Sequence, residues 1–147
     1  MEELAQATHQ KITRFSGEGD ALALEHRFDD AVARYNEAWQ LVPEPKDNWQ
    51  ASTWLLAAIG DACFLGGYFT SGAEALSYAL RCPGGFGNPF IHLRLGQCEF
   101  ERGDFPNAIE HLTRAYAIEG AEILEQDDQK YFDFLKAKIS PPASGVW

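Results

Sequence analysis

Three glycines, Gly84, Gly85 and Gly87, precede Asn88, Pro89 and an apolar run in the stretch RCPGGFGNPFIHLRLG. A glycine-rich turn that opens a helix can hold phosphate, because free backbone N–H groups and the helix dipole both favour an anion there. The spacing argues against that chemistry. A P-loop needs a strand before it and a Lys with Ser or Thr at its end. A dinucleotide loop needs G-x-G-x-x-G between strand and helix. Here Cys82-Pro83 closes one helix, the glycines permit a lengthened turn, and Asn88 with Pro89 reads as the cap and first turn of the next. Phe86, large and apolar among the glycines, is either tucked beneath the turn or offered to a partner.

The remaining reactive side chains form no compact constellation. His9, His26, His92 and His111 lie on different segments, and neither H-E-x-x-H nor a nucleophile elbow occurs. His92 and Cys98 are six residues apart, which does not place both squarely on one helix face. His111, beside Glu110, reads as solvated. The pairs Asp29–Asp30, Asp127–Asp128 and Glu99–Glu101 read as water-facing charge, and Asp29 and Asp30 also suit the positive end of a helix. Cys63, Cys82 and Cys98 are widely spaced without C-x-x-C, so neither a disulfide framework nor a zinc site is expected. They read as reduced, apolar filler. No catalytic residue, metal or cofactor is nominated, and a small enzyme with a site in a cleft is the remote alternative.

The balance of charge points elsewhere. A formal net charge of −10 over 147 residues repels nucleic-acid backbone and anionic membrane surfaces. It attracts a basic protein, faster at low salt. Apolar residues make up 46% of the chain, enough for one domain with a real core, yet no run approaches the ~18–20 apolar residues of a membrane span. The segment MEELAQATHQKITRF lacks the order of a secretory signal, so a cytoplasmic protein is expected.

Three segments align: GDALALEHRFDDAVARYNEAW from Gly19, GDACFLGGYFTSGAEALSYAL from Gly60, and GQCEFERGDFPNAIEHLTRAY from Gly96. Nine residues after each glycine stands Phe28, Phe69 or Phe105. Then come a small residue (Ala31, Gly72, Ala108), a large one (Tyr35, Leu76, Leu112) and an alanine (Ala38, Ala79, Ala115). Small residues let two helices approach closely while large ones fill the groove beside them. Neither helix hides its apolar stripe alone, so neighbouring units must stack.

This pattern resembles the tetratricopeptide repeat (TPR) over roughly residues 12–118. The resemblance implies an all-α, right-handed stack of three helical hairpins, at about 12–43, 53–82 and 89–118. A capping segment at 119–139 and a tail at 140–147 complete a single domain. The sequence departs from the family in its unequal spacing, 41 residues from Gly19 to Gly60 and 36 from Gly60 to Gly96, in lacking the usual tryptophan, and in Gly72. Helices are expected over about 3–25, 28–41, 48–65, 70–81, 89–102 and 106–118, the third capped near Asp47 or Asn48. Leu4, Ile12, Phe15 and Leu22 should face inward on the first. A last helical segment should seal the stack through Leu124, Tyr131, Phe132, Leu135 and Ile139. Trp147 reads as part of a loose tail in preference to a docking residue.

In TPR proteins the first helices of successive repeats line a concave groove. Carried over, that surface comprises Thr13, Ser16, Asp20 and Leu24, then Trp54, Ala57, Asp61 and Phe64, then Phe90, Leu93, Arg94, Gln97 and Glu101. The partner-binding candidates are Asp20, Trp54, Asp61, Phe64, Phe90, Arg94, Gln97 and Glu101. Ser16, Asp20 and Asp61 occupy positions where a carboxylate clamp carries cations or amides, and Arg94 alone matches, so such a clamp is not expected. Aromatic anchors ringed by acids suit a Lys- or Arg-bearing partner instead. The acids Glu119, Glu122, Glu125, Asp127 and Asp128 offer a second such surface. Beyond the repeat, DNWQASTWLLAAIGDACF, LRCPGGFGNPFIHLRLGQ and DDQKYFDFLKAKI resemble segments of short stand-alone bacterial TPR proteins found beside polymorphic toxins of the rearrangement-hotspot (Rhs) type. That resemblance implies a non-catalytic immunity protein that binds and blocks a basic toxin domain. The alternative is a generic adaptor or secretion chaperone that holds a peptide in its groove.

Overall fold

The computed structural model describes residues 4–147, and no strand occurs among them. The helices are α1 (Gln6–Leu24), α2 (Phe28–Gln40), α3 (Gln50–Leu65), α4 (Phe69–Ala79), α5 (Pro89–Glu101), α6 (Phe105–Glu119), α7 (Glu122–Glu125) and α8 (Gln129–Lys138). Glu3, the expected start of the first helix, lies outside the described residues. Helix α1 packs on α2, α3 on α4, and α5 on α6, while α2 meets α3 and α4 meets α5. Each pair therefore lies against the next.

One turn recurs inside all three pairs. The N–H of Arg27 donates to the Leu22 carbonyl (2.9 Å), that of Tyr68 to Cys63 (2.7 Å) and that of Asp104 to Glu99 (2.9 Å). Just before each donor stands a residue with positive φ: His26 (61°), Gly67 (85°) and Gly103 (79°). This is the Schellman closure, which satisfies the last carbonyls of a helix and demands a left-handed residue. His26 occupies that position with a side chain, and its ring stacks on Phe28 at 5.6 Å.

The aligned glycines sit where two helices come closest. A Cβ on Gly19 would lie 2.6 Å from the Tyr35 ring, on Gly60 2.3 Å from Leu76 Cγ, and on Gly96 2.8 Å from Leu112 Cγ. The glycine of each first helix thus receives the large residue of its second helix. Ala31, Ala38, Ala79, Ala108 and Ala115 are all fully buried. On α1, Ile12 is buried, and Leu4, Phe15 and Leu22 are partly buried against the core.

The links hold three differences from the sequence expectations. Asp47 and Asn48 do not cap α3; they lie in a 3₁₀ turn, and α3 starts after Trp49 without a side-chain cap. Trp49 is buried with its indole N–H on the Pro43 carbonyl (2.8 Å), which sets the helix start two residues later. The last segment is two helices, not one, because the chain breaks at 126–128 before Asp128 caps α8 through the Lys130 N–H (3.0 Å). Trp147 is not loose: its ring packs edge-on against Tyr116 (5.8 Å) and Phe132 (6.1 Å). Leu124, Phe132 and Leu135 are buried against Leu93, Leu112 and Ala115, and Tyr131 is buried as well.

The glycine-rich loop is a tied bend. Gly84 has φ 74°, and a Cβ on Gly85 would stand 1.8 Å from the Ala79 carbonyl oxygen. Thr53 donates to the Pro83 carbonyl (2.7 Å), and Asn88 accepts from the N–H groups of Phe90 and Ile91, with Pro89 in the first turn. Phe86 points outward, 57% exposed, its ring nearly perpendicular to that of His92 and its face against the Arg114 guanidinium 5.0 Å away.

Candidate functional site

Trp54, Asp61 and Phe64 lie along α3 at spacings of seven and three residues, which keep them on one face; Phe90, Arg94, Gln97 and Glu101 follow on neighbouring turns of one face of α5. The structure joins these rows through Arg94. Its Nε donates to Asp61 (2.8 Å), and its Nη1 donates to Gln97 (2.7 Å) and to Asp127 (3.0 Å). Gln97 adds its own bond to Asp127 (3.1 Å). The guanidinium stacks on Phe64 at 4.5 Å and faces Phe90 at 5.2 Å. Arg94 is only 8% exposed, so the matching cation of the expected groove is spent on internal partners.

Glu101 is engaged in the same way. It accepts from the Tyr131 hydroxyl (2.7 Å) and pairs with Lys130 (2.9 Å). Burial, and then the bond to Glu101, push the Tyr131 phenol well above its usual pKa. Asp20 stands apart on α1, accepting from Tyr35 (2.6 Å), whose phenol burial and this bond likewise raise. Trp54 is 40% exposed, the freest aromatic of the set, while Phe90 is half-buried. Asp61, Phe64, Phe90, Arg94, Gln97 and Glu101 thus come together, whereas Asp20 does not join them.

No protein-family model matches the chain. A comparison with curated proteins finds no match either.

Asp127, Lys130 and Tyr131 complete the cluster; Asp127 was expected on a separate acidic surface and Tyr131 in the cap, and Lys130 was not singled out. Spacing did not mark them: the aligned units are 41 and 36 residues apart, whereas Asp61, Arg94 and Asp127 stand at intervals of 33. Asp127 therefore leaves the exposed acidic surface at the C-terminal end, and Asp128 is a helix cap. Glu119, Glu122 and Glu125 remain exposed there.

A second polar group is buried between α5 and α6, where the sequence suggested solvated charge. Glu99 is 6% exposed and accepts from His111 Nδ1 (2.7 Å). His111 stacks on His92 at 5.7 Å. His92 is fully buried and its Nε2 is 2.6 Å from the Phe86 carbonyl, so that nitrogen carries the proton. Its Nδ1 has no partner. Burial lowers the His92 pKa, and His111 and Arg114 lower it further against the opposing bond to Phe86. Burial also pushes the Cys98 thiol up to about 12, and Cys63 and Cys82 rise for the same reason. Among the described residues no three His, Cys, Asp or Glu side chains are placed to hold a metal ion, and no helix is long and apolar enough to cross a membrane.

Proposed function

We propose that this chain is a non-catalytic, TPR-like stack of three hairpins that binds a basic protein, and that this partner is a bacterial toxin domain which it neutralises. The observation that carries the reading is a surplus of solvent-facing carboxylate. Glu18, Glu44, Glu74, Glu119, Glu122 and Glu125 are exposed and form no ion pair among the described residues. Such a surface accelerates encounter with a cationic partner and rejects nucleic acid. The exposed Trp54 supplies an apolar anchor. The toxin class comes from the resemblance of three segments to small TPR proteins of immunity type, and a cytoplasmic site of action accompanies it.

The test pairs the chain with a basic toxin domain encoded beside its gene. Co-expression should rescue growth, and the purified proteins should form a complex that weakens about tenfold or more as salt is raised to physiological strength. Trp54→Ala should cost about 2 kcal/mol of binding. Absence of both complex and rescue removes the proposal. Asp61→Lys is a poor probe of charge here, because it would also break the Arg94 cluster.

A further inference from the structure

A cleft of about 390 Å³ opens between α2 and α4, away from the Arg94 cluster. Its floor is apolar, formed by Ile59 and Cys63 of α3, which are 7% and 3% exposed. Val32 adds an apolar wall. At the rim stand the Asp29 carboxylate, the Asn36 carboxamide and the Tyr68 ring, all exposed. Asp29 beside it raises the Tyr68 phenol pKa. No basic side chain lines the cleft. A volume of this size takes one long side chain or a small ligand.

The chain itself shows what such a set of groups holds. Arg94 is bound by a carboxylate (Asp61), a carboxamide (Gln97) and an aromatic face (Phe64). The cleft offers the same three kinds of group in Asp29, Asn36 and Tyr68, without an arginine. A planar guanidinium suits them: its fork fits a carboxylate, and its face stacks on an aromatic ring. Its apolar stem would cover Val32 and Ile59. The set occurs once. One register further along, the positions of Asp29, Asn36 and Tyr68 hold Thr70, Ser77 and Asp104.

We infer that this cleft is a socket for an arginine side chain presented by a basic protein. The inference rests on the proposed capture of such a partner, but the socket can be tested alone. The ¹⁵N-labelled full chain is titrated with N-acetyl-L-argininamide and, separately, with its neutral analogue N-acetyl-L-citrullinamide. The arginine probe should shift the amides of Asp29, Val32, Asn36 and Tyr68, and of Ser71, which also lines the cleft, with millimolar saturation, and the neutral probe should bind about tenfold more weakly or worse. Asp29→Asn should abolish the response with an unchanged spectrum elsewhere. Shifts that scatter over the surface, survive in Asp29→Asn, or match those from N-acetyl-L-lysinamide would overturn the socket. If the probe fills the cleft but no basic protein binds the chain, the partner reading fails and the socket stands. If a basic toxin domain binds and Asp29→Asn leaves its Kd unchanged, the socket fails and the partner reading stands.

Discussion

At three equivalent positions the α3/α4 pair carries Leu56, Cys63 and Ala75, and the α5/α6 pair carries His92, Glu99 and His111. Both trios lie inside the packing, and both pairs keep the same turn and the same glycine-to-leucine contact. The shape of a pair is therefore set by close helix approach and by the left-handed residue of its turn, not by the chemistry between its helices. The polar trio must offset the desolvation of a carboxylate and two imidazoles. It does so in part, through the Glu99–His111 bond and the tie from His92 to Phe86, while His92 Nδ1 stays without a partner. The apolar trio needs no such arrangement.

The largest expected effect comes from breaking the polar trio one member at a time. Glu99→Ala leaves His111 buried without its acceptor and should cost about 3 kcal/mol. Cys63→Ala at the matching position should cost about 1 kcal/mol. Replacing the trio together with the apolar set (H92L, E99C, H111A) should return stability to within about 1 kcal/mol of the parent or above it. Urea unfolding measures all three; a triple variant as damaged as Glu99→Ala would show that the polar trio determines the shape of its pair.

Next in size is the feature that the pairs share. Gly60→Ala and Gly96→Ala should each cost about 1–3 kcal/mol, and by similar amounts, because the added methyl meets Leu76 or Leu112. Gly17 is the control: no atom lies within 4 Å of its Cβ position, so Gly17→Ala should gain up to about 1 kcal/mol. Thermal unfolding would separate the two classes, and equal behaviour of all three variants would break the comparison.

The smallest effect is one of pH. His92 binds its proton less readily when folded than unfolded. Its neutral form therefore contributes stability that is present above the ordinary histidine pKa of about 6.5 and is lost as pH falls below it. Of the groups that face the ring, His111 and Arg114 act in the same direction as burial, whereas the Phe86 bond and Glu110 oppose it. The thermal midpoint should drop from pH 7 to pH 5 in the parent and drop less in His92→Leu. An unchanged slope in the variant would assign the acid sensitivity elsewhere.

The six long helices and the Asn88 cap were legible because they follow from spacing and from local residue types, whereas the start of α3 and the break before α8 were not. Burial of Glu99 was not. It lies seven residues after His92 and three after Gly96, on the stripe that faces α6, but a carboxylate on an acidic chain reads as solvated until His111 is known to sit opposite. The internal use of Arg94 was hidden for a related reason. A groove position looks available until the break before Asp128 turns Asp127 back toward it. Trp147 has no periodic context at all, and only the aromatic faces of Tyr116 and Phe132 give it a place.

A stack of helix pairs commonly opens from its ends, one unit at a time. Arg94 changes that order for the last part of this chain. A single guanidinium takes ligands from α3, from α5 and from the link between α7 and α8. Detaching the final helices strips it of one carboxylate and admits water to its bond with Asp61. The later units are thereby tied into one opening event, whereas α1 is held by the Asp20–Tyr35 bond and by the packing of Ile12 against Trp49 and Leu55.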